Sequence, residues 1–115
     1  MVEERRVFIP YESIDYVYTV NLALQRVLEA RAGINDSITF EKYLRAVEAL
    51  YTILIPRLRD LRIKKLLDEA RKRDDNGLYT EKNIELLDRA VEIILNILDK
   101  NHLLIKGEIY EEERA

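Results

Sequence analysis

From Thr80 to Leu104 the chain reads TEKNIELLDRAVEIILNILDKNHLL, with apolar residues at Ile84, Leu87, Val91, Ile94 and Leu98. Spacings that alternate between three and four residues put these side chains on one face of a helix. Leu86, Ala90, Ile93 and Ile97 repeat the rule on the adjoining face, and Leu95 widens the apolar surface further. A helix greasy over so much of its girth needs neighbours on more than one side. The stretch therefore calls for a helical bundle with this helix at its centre.

The rest of the chain supplies the neighbours. Val2 to Pro10 turns from charged to apolar at Val7, Phe8 and Ile9, and the proline disfavours helix at Ile9. This reads as an extended arm over residues 1–10. A first helix is expected over 11–32, where Tyr16, Val20, Ala23, Val27 and Ala30 form the stripe and Gly33 offers a left-handed stop. A second is expected over 39–55, with Thr39 as N-cap and Ile38 and Tyr43 as a hydrophobic staple. Its stripe, Phe40, Leu44, Val47, Tyr51, Leu54, Leu58 and Leu61, runs on past Pro56, where a kink or short break is expected. Beyond it Ile63, Leu66, Leu67 and Ala70 change face, giving a third helix over 57–73. Asp74 to Gly77 reads as a turn with Gly77 at a helix C-terminus. Thr80 then caps the fourth helix, expected over 80–104, with Tyr79 and Ile84 as staple and Gly107 as its close. Residues 108–115 are an acidic tail.

The expected fold is thus all-α: a single 115-residue domain folded as a four-helix antiparallel bundle. An internal repeat points to two related hairpins. Arg45–Leu54 reads RAVEALYTIL and Arg89–Leu98 reads RAVEIILNIL, alike in six of ten positions. Chance use of one small alphabet by two amphipathic helices would produce the same match.

Composition excludes several functions. There is no cysteine, so thiolate chemistry is out, and a lone histidine, His102, cannot supply a multi-histidine metal centre within one chain. No apolar run reaches the roughly 18 residues of a membrane span, and residues 1–10 carry no signal-peptide core. A cytoplasmic location is the expectation. One Gln and one Met among abundant Ile, Glu and Arg resemble proteins of hyperthermophiles, where ion-pair networks replace thermolabile residues. The chain reads as thermophilic, of archaeal or archaeal-virus type.

Little here resembles a catalytic motif. Asp99-Lys100-Asn101-His102 is similar to half of the Glu-x-x-His pair of di-iron bundles, which need two such pairs and further carboxylates. HEPN-type ribonucleases are small helical bundles whose motif places an arginine roughly four to six residues, one to nearly two helical turns, before the histidine. Asn96, Ile97 and Leu98 occupy that window here, against that family. Ser13 and Ser37 have no identifiable base. All three glycines fall at expected helix ends, leaving none for a phosphate loop. No enzyme, no cofactor and no metal is expected.

Charge is distributed unevenly. Arg57, Arg59, Arg62, Lys64, Lys65, Arg71, Lys72 and Arg73 face three acids, a local +5 within a chain of net charge −3. Such a segment could follow a phosphate backbone or an acidic partner. Acid-to-base spacings of four at Asp60–Lys64, Asp68–Lys72 and Glu69–Arg73 fit a solvated helix face equally well. Seven tyrosines stand against two phenylalanines, and Tyr11, Tyr16 and Tyr18 cluster beside the apolar arm. Tyrosine favours sites with a buried ring and a wet tip, as at protein interfaces. The sequence therefore reads as a non-enzymatic protein-interaction or accessory subunit, expected to form a homodimer through Val7, Phe8, Ile9, Tyr11 and Tyr18. The alternative is a nucleic-acid-binding module using residues 57–73. No membrane partner is expected.

Overall fold

The computed structural model describes residues 11–55 and 57–105. The arm at 1–10 with Val7, Phe8 and Ile9, Pro56, Gly107 and the tail at 108–115 lie outside the described residues, as does the side chain of Tyr11. The four helices take up most of the described residues, and no strand forms among them. The elements are α1 (Tyr11–Ala32), α2 (Ser37–Leu54), α3 (Leu61–Ala70) and α4 (Glu81–Lys100). Consecutive helices are antiparallel. α1 packs on α2 and α3 packs on α4, while α2 also touches α3 and α4 and so joins the two hairpins.

Each helix turns the stripe its spacing marked toward the core, although in α1 Tyr16, Ala23 and Ala30 of that stripe are only half-buried. α1 contributes Val20, Leu24 and Val27, and α2 contributes Phe40, Leu44, Val47, Leu50 and Leu54. Ile63, Leu67 and Ala70 come from α3, and Leu87, Ala90, Val91, Ile94 and Leu98 from α4, all in one cluster. A leucine fully removed from water here contributes about 2 kcal/mol. The repeat keeps register: Val47 and Val91, Leu50 and Ile94, and Leu54 and Leu98 are buried at matching places on the second helix of each hairpin.

Helix ends differ from the sequence reading in instructive ways. The N-cap of α2 is Asp36, not Thr39. Asp36 Oδ1 accepts from the Thr39 amide at 2.8 Å while Thr39 Oγ1 accepts from the Asp36 amide at 3.0 Å, a reciprocal capping box. The helix thus starts before Ile38, which is 72% exposed and staples nothing. Gly33 does not adopt a left-handed conformation. Its amide bonds back to Glu29 and Ala30 carbonyls, and the chain tightens one residue more before Asp36 restarts it.

At its other end α2 stops at Leu54. Ile55 is extended, with ψ of 143°, as a residue before proline must be. The chain then turns on Leu54, whose carbonyl accepts from Arg57 and Leu58, and Asp60 caps α3 through the Arg62 amide at 2.9 Å. The expected helix over 57–73 is therefore only Leu61–Ala70. The change of apolar face marks two helices, not one bent rod, and it leaves Leu61 67% exposed.

Asp74 to Gly77 forms the expected turn, with Gly77 at φ of 78°. It stands within the connector, however, and not at the C′ position of α3, whose C-cap is Arg71. Thr80 caps α4 as expected, and Tyr79 and Ile84 pack on the core. α4 ends at Lys100, short of residue 104. His102 takes the left-handed C′ position at φ of 56°. The Leu103 amide donates to Leu98 O at 2.8 Å and the His102 amide to Asp99 O at 3.1 Å, the two bonds of a Schellman motif. His102 thus stands beyond the helix and does not share a helical face with Asp99.

Candidate functional site

The basic segment is the main candidate from the sequence, and the fold divides it. Arg57 and Arg59 lie in the connector before α3; Arg62, Lys64 and Lys65 lie on α3; Arg71, Lys72 and Arg73 follow it. Lys64 and Lys65 are exposed on the side away from Ile63, Leu67 and Ala70, as the helical wheel requires.

Most of these cations are already engaged by the protein. The Arg57 guanidinium lies over the Tyr16 ring, 4.2 Å from its centroid. Arg62 clasps Asp60 with two bonds, of 3.0 and 2.7 Å. Asp68 accepts from Lys64 at 3.3 Å and from Arg71 at 2.6 Å, and Arg71 also bonds Glu48 on α2. Lys72 stands 3.8 Å from Glu69. Arg73 is 3.8 Å from Glu41 and lies over the Tyr79 ring at 5.1 Å. Arg59 and Lys65 have no such partner among the described residues. Bonds from Arg62 hold the Asp60 carboxyl below its ordinary range, and those from Arg71 and Lys64 do the same for Asp68.

The pairing therefore differs from the expected i, i+4 ladder. Asp60 pairs with Arg62, Asp68 with Lys64 and Arg71, and Glu69 with Lys72. Glu41, Glu48 and Tyr16 are partners from other helices. No local spacing in the sequence marks them.

Four tyrosines fill structural roles with the hydroxyl bonded, the rings of Tyr43 and Tyr51 buried and those of Tyr16 and Tyr79 half-buried. Tyr43 donates to Asp88 Oδ1 at 2.6 Å, and Arg31 grips the same carboxylate with two bonds, of 2.8 and 3.1 Å. This triad ties the end of α1 to α2 and α4. Burial, then the bond to Asp88, raises the Tyr43 phenol above its ordinary range. Tyr51 donates to Asp60 O at 3.1 Å, Tyr79 donates to Glu41 at 3.1 Å, and Tyr16 aims its hydroxyl at Ile53 O, 3.5 Å away. Tyr18 is different. It is 62% exposed, and Leu22, one turn on, is 39% exposed.

For catalysis or metal binding the described residues offer little. No group of three His, Asp or Glu side chains converges among them. Ser37 sits in the first turn of α2, where its Oγ accepts from the Tyr79 amide at 3.4 Å. Among the described residues Asn83 is the buried polar side chain, and its amide is fully used. Nδ2 donates to Ala70 O at 2.9 Å and Lys72 O at 2.8 Å, while Oδ1 accepts from the amide and hydroxyl of Thr80. That side chain holds the end of α3 against the start of α4.

No helix among the described residues is long and apolar enough to cross a membrane. The chain matches no family model, no curated protein and no solved structure, so its geometry alone carries the functional reading.

Proposed function

We propose that this chain is a non-enzymatic helical protein-interaction subunit, of thermophilic type, that self-associates through the outer face of α1. One observation carries the reading. Tyr18 and Leu22 stand together, exposed, on the side of α1 opposite buried Val20 and Val27. A tyrosine and a leucine one turn apart suit the centre of a protein interface, where aromatic rings are enriched and charge is depleted. The apolar residues Val7, Phe8 and Ile9 precede this helix directly in sequence. A twofold pairing uses one such face twice.

Sedimentation equilibrium at micromolar concentration tests the proposal. A dimer near twice 13.6 kDa is expected, shifted toward monomer by Tyr18→Ser with Leu22→Ser and by deletion of residues 1–10. Lys64→Ala with Lys65→Ala should leave it unchanged. A single species near 13.6 kDa would rule self-association out.

The engagement of six of the eight basic residues by acids or rings speaks for a solvated, internally paired face over residues 57–73. A retardation assay with generic DNA and RNA at two salt concentrations addresses the competing reading. Salt-sensitive binding lost in Arg59→Ala with Lys65→Ala would favour the nucleic-acid module.

A further inference from the structure

The break between α2 and α3 leaves an open cleft of about 390 Å³ along their flank. Ile55 and the exposed Leu61 give it an apolar wall, Arg59, Lys64 and Arg71 a basic rim, and Asp68 its acid. Arg59 has neither ion-pair nor ring partner among the described residues, and Leu61 keeps two thirds of its surface in water. An apolar wall beside an unmatched cation fits a peptide that alternates an apolar pair with acidic residues.

The chain itself carries such a peptide. Residues 106–115 read KGEIYEEERA, with Ile109-Tyr110 followed by Glu111, Glu112 and Glu113. They start in the right place. Asn21 fixes the preceding segment from both sides, donating to Leu103 O at 2.8 Å and accepting from the Ile105 amide at 3.1 Å. Leu103 in turn shares a small cleft with Arg57 and Leu58, immediately before Arg59. An extended chain advances roughly 3.3–3.6 Å per residue, so Ile109 and Tyr110 can reach about 13–18 Å from Ile105. α3 is about 15 Å long. That reach is on the scale of α3 itself, along which Ile109-Tyr110 would meet Leu61 and the glutamates Arg59 and Lys64.

We infer that residues 108–113 of this chain dock in the α2–α3 cleft of the same molecule, the apolar pair on Ile55 and Leu61 and the glutamates on the basic rim. This proposal stands apart from the self-association reading, since no residue of α1 lines the cleft.

Because the chain has no cysteine, Ala115→Cys takes a single nitroxide label in the full-length protein, and paramagnetic broadening of backbone amides reports where the tail goes. The expected result is that Leu61, Lys64 and Asp68 amides lose more than half their intensity relative to the reduced label, while Gln25 and Leu28 on α1 keep theirs. Arg59→Glu with Lys64→Glu should restore the lost intensity, as should Glu111→Lys with Glu113→Lys, each checked for helical content by far-ultraviolet circular dichroism. Unbroadened α3 amides, or broadening that survives both charge reversals, would overturn the proposal. A mixture of labelled chains and unlabelled isotope-enriched chains closes the remaining route. Broadening of equal size in that mixture would assign the cleft to a second copy's tail and overturn docking within one molecule.

Discussion

Asn83→Asp replaces one side chain by another of nearly the same shape, and the structure sets its cost. The Oδ1 half of the residue keeps its bonds to the Thr80 amide and hydroxyl. The Nδ2 half changes from a donor between two carbonyls, Ala70 O and Lys72 O, to an oxygen facing them. Two bonds are lost, at about 1 kcal/mol each, and a carboxylate is held in a site where Asn83 is 6% exposed. Adding about 1–3 kcal/mol for that desolvation gives a loss of about 3–5 kcal/mol at pH 7. The site disfavours the ionised form, so the new carboxyl has a folded pKa above its unfolded value of about 3.9. Its deficit is then small below that unfolded value and grows as pH rises through the folded one. Urea denaturation followed by circular dichroism at pH 4 and pH 7, at one protein concentration, measures both quantities. Asn76→Asp makes the same charge change on the exposed turn and should stay within about 0.5 kcal/mol of the parent. A loss below about 1 kcal/mol at pH 7, or the same loss at both pH values, would refute the role assigned to this amide.

Three further outcomes are expected. His102→Gly relieves a left-handed non-glycine residue worth about 1–2 kcal/mol and gives back about 0.5–1 kcal/mol in unfolded-chain entropy, so Tm should rise by a few degrees in a thermal melt. A fall in Tm would mean that the imidazole itself holds the segment after α4. Tyr43→Phe removes the bond to Asp88 but leaves Arg31 in place, and should cost about 1–1.5 kcal/mol by urea denaturation, with a larger loss in the double variant with Arg31→Ala. Asp36, Asp60 and Asp68 all have carboxyl pKa values lowered in the fold, chiefly by the Thr39 amide, by Arg62 and by Arg71 respectively. Their stabilisation is complete above the unfolded value of about 3.9 and is lost as pH falls through the lower folded values. Thermal melts from pH 2 to pH 6 should show Tm declining below about pH 4.

Legibility followed the range of the interaction. Helical stripes are local patterns, so the buried faces of all four helices could be read from spacing alone, down to Val47, Leu54, Leu87, Val91 and Ile94. Thr80 was legible because it is the last residue before its helix. Thr39 misleads because both members of the Asp36–Thr39 box are good caps and Thr39 is the one nearer the apolar run. The left-handed position after α4 went to a histidine, a choice that glycine-based rules do not find. The basic segment shows the limit most clearly. Its sequence spacing announces charge, but Glu41, Glu48 and Tyr16, which engage Arg73, Arg71 and Arg57, come from other helices. Only the folded chain reveals that most of that charge is already matched.

The pairing of α1 with α2 and of α3 with α4 bears on how quickly the chain finds its native state. Each pair is joined by a connector of ten residues or fewer, Gly33–Asp36 and Arg71–Thr80, so loop closure costs little entropy and contacts within a pair are near in sequence. Low contact order of this kind places helical proteins among the microsecond-to-millisecond folders. The contacts within one hairpin need no loop closure through the other. What is left for the end is the meeting of α2 with α4, the two helices that carry the repeated segment, and it is there that Tyr43 reaches Asp88.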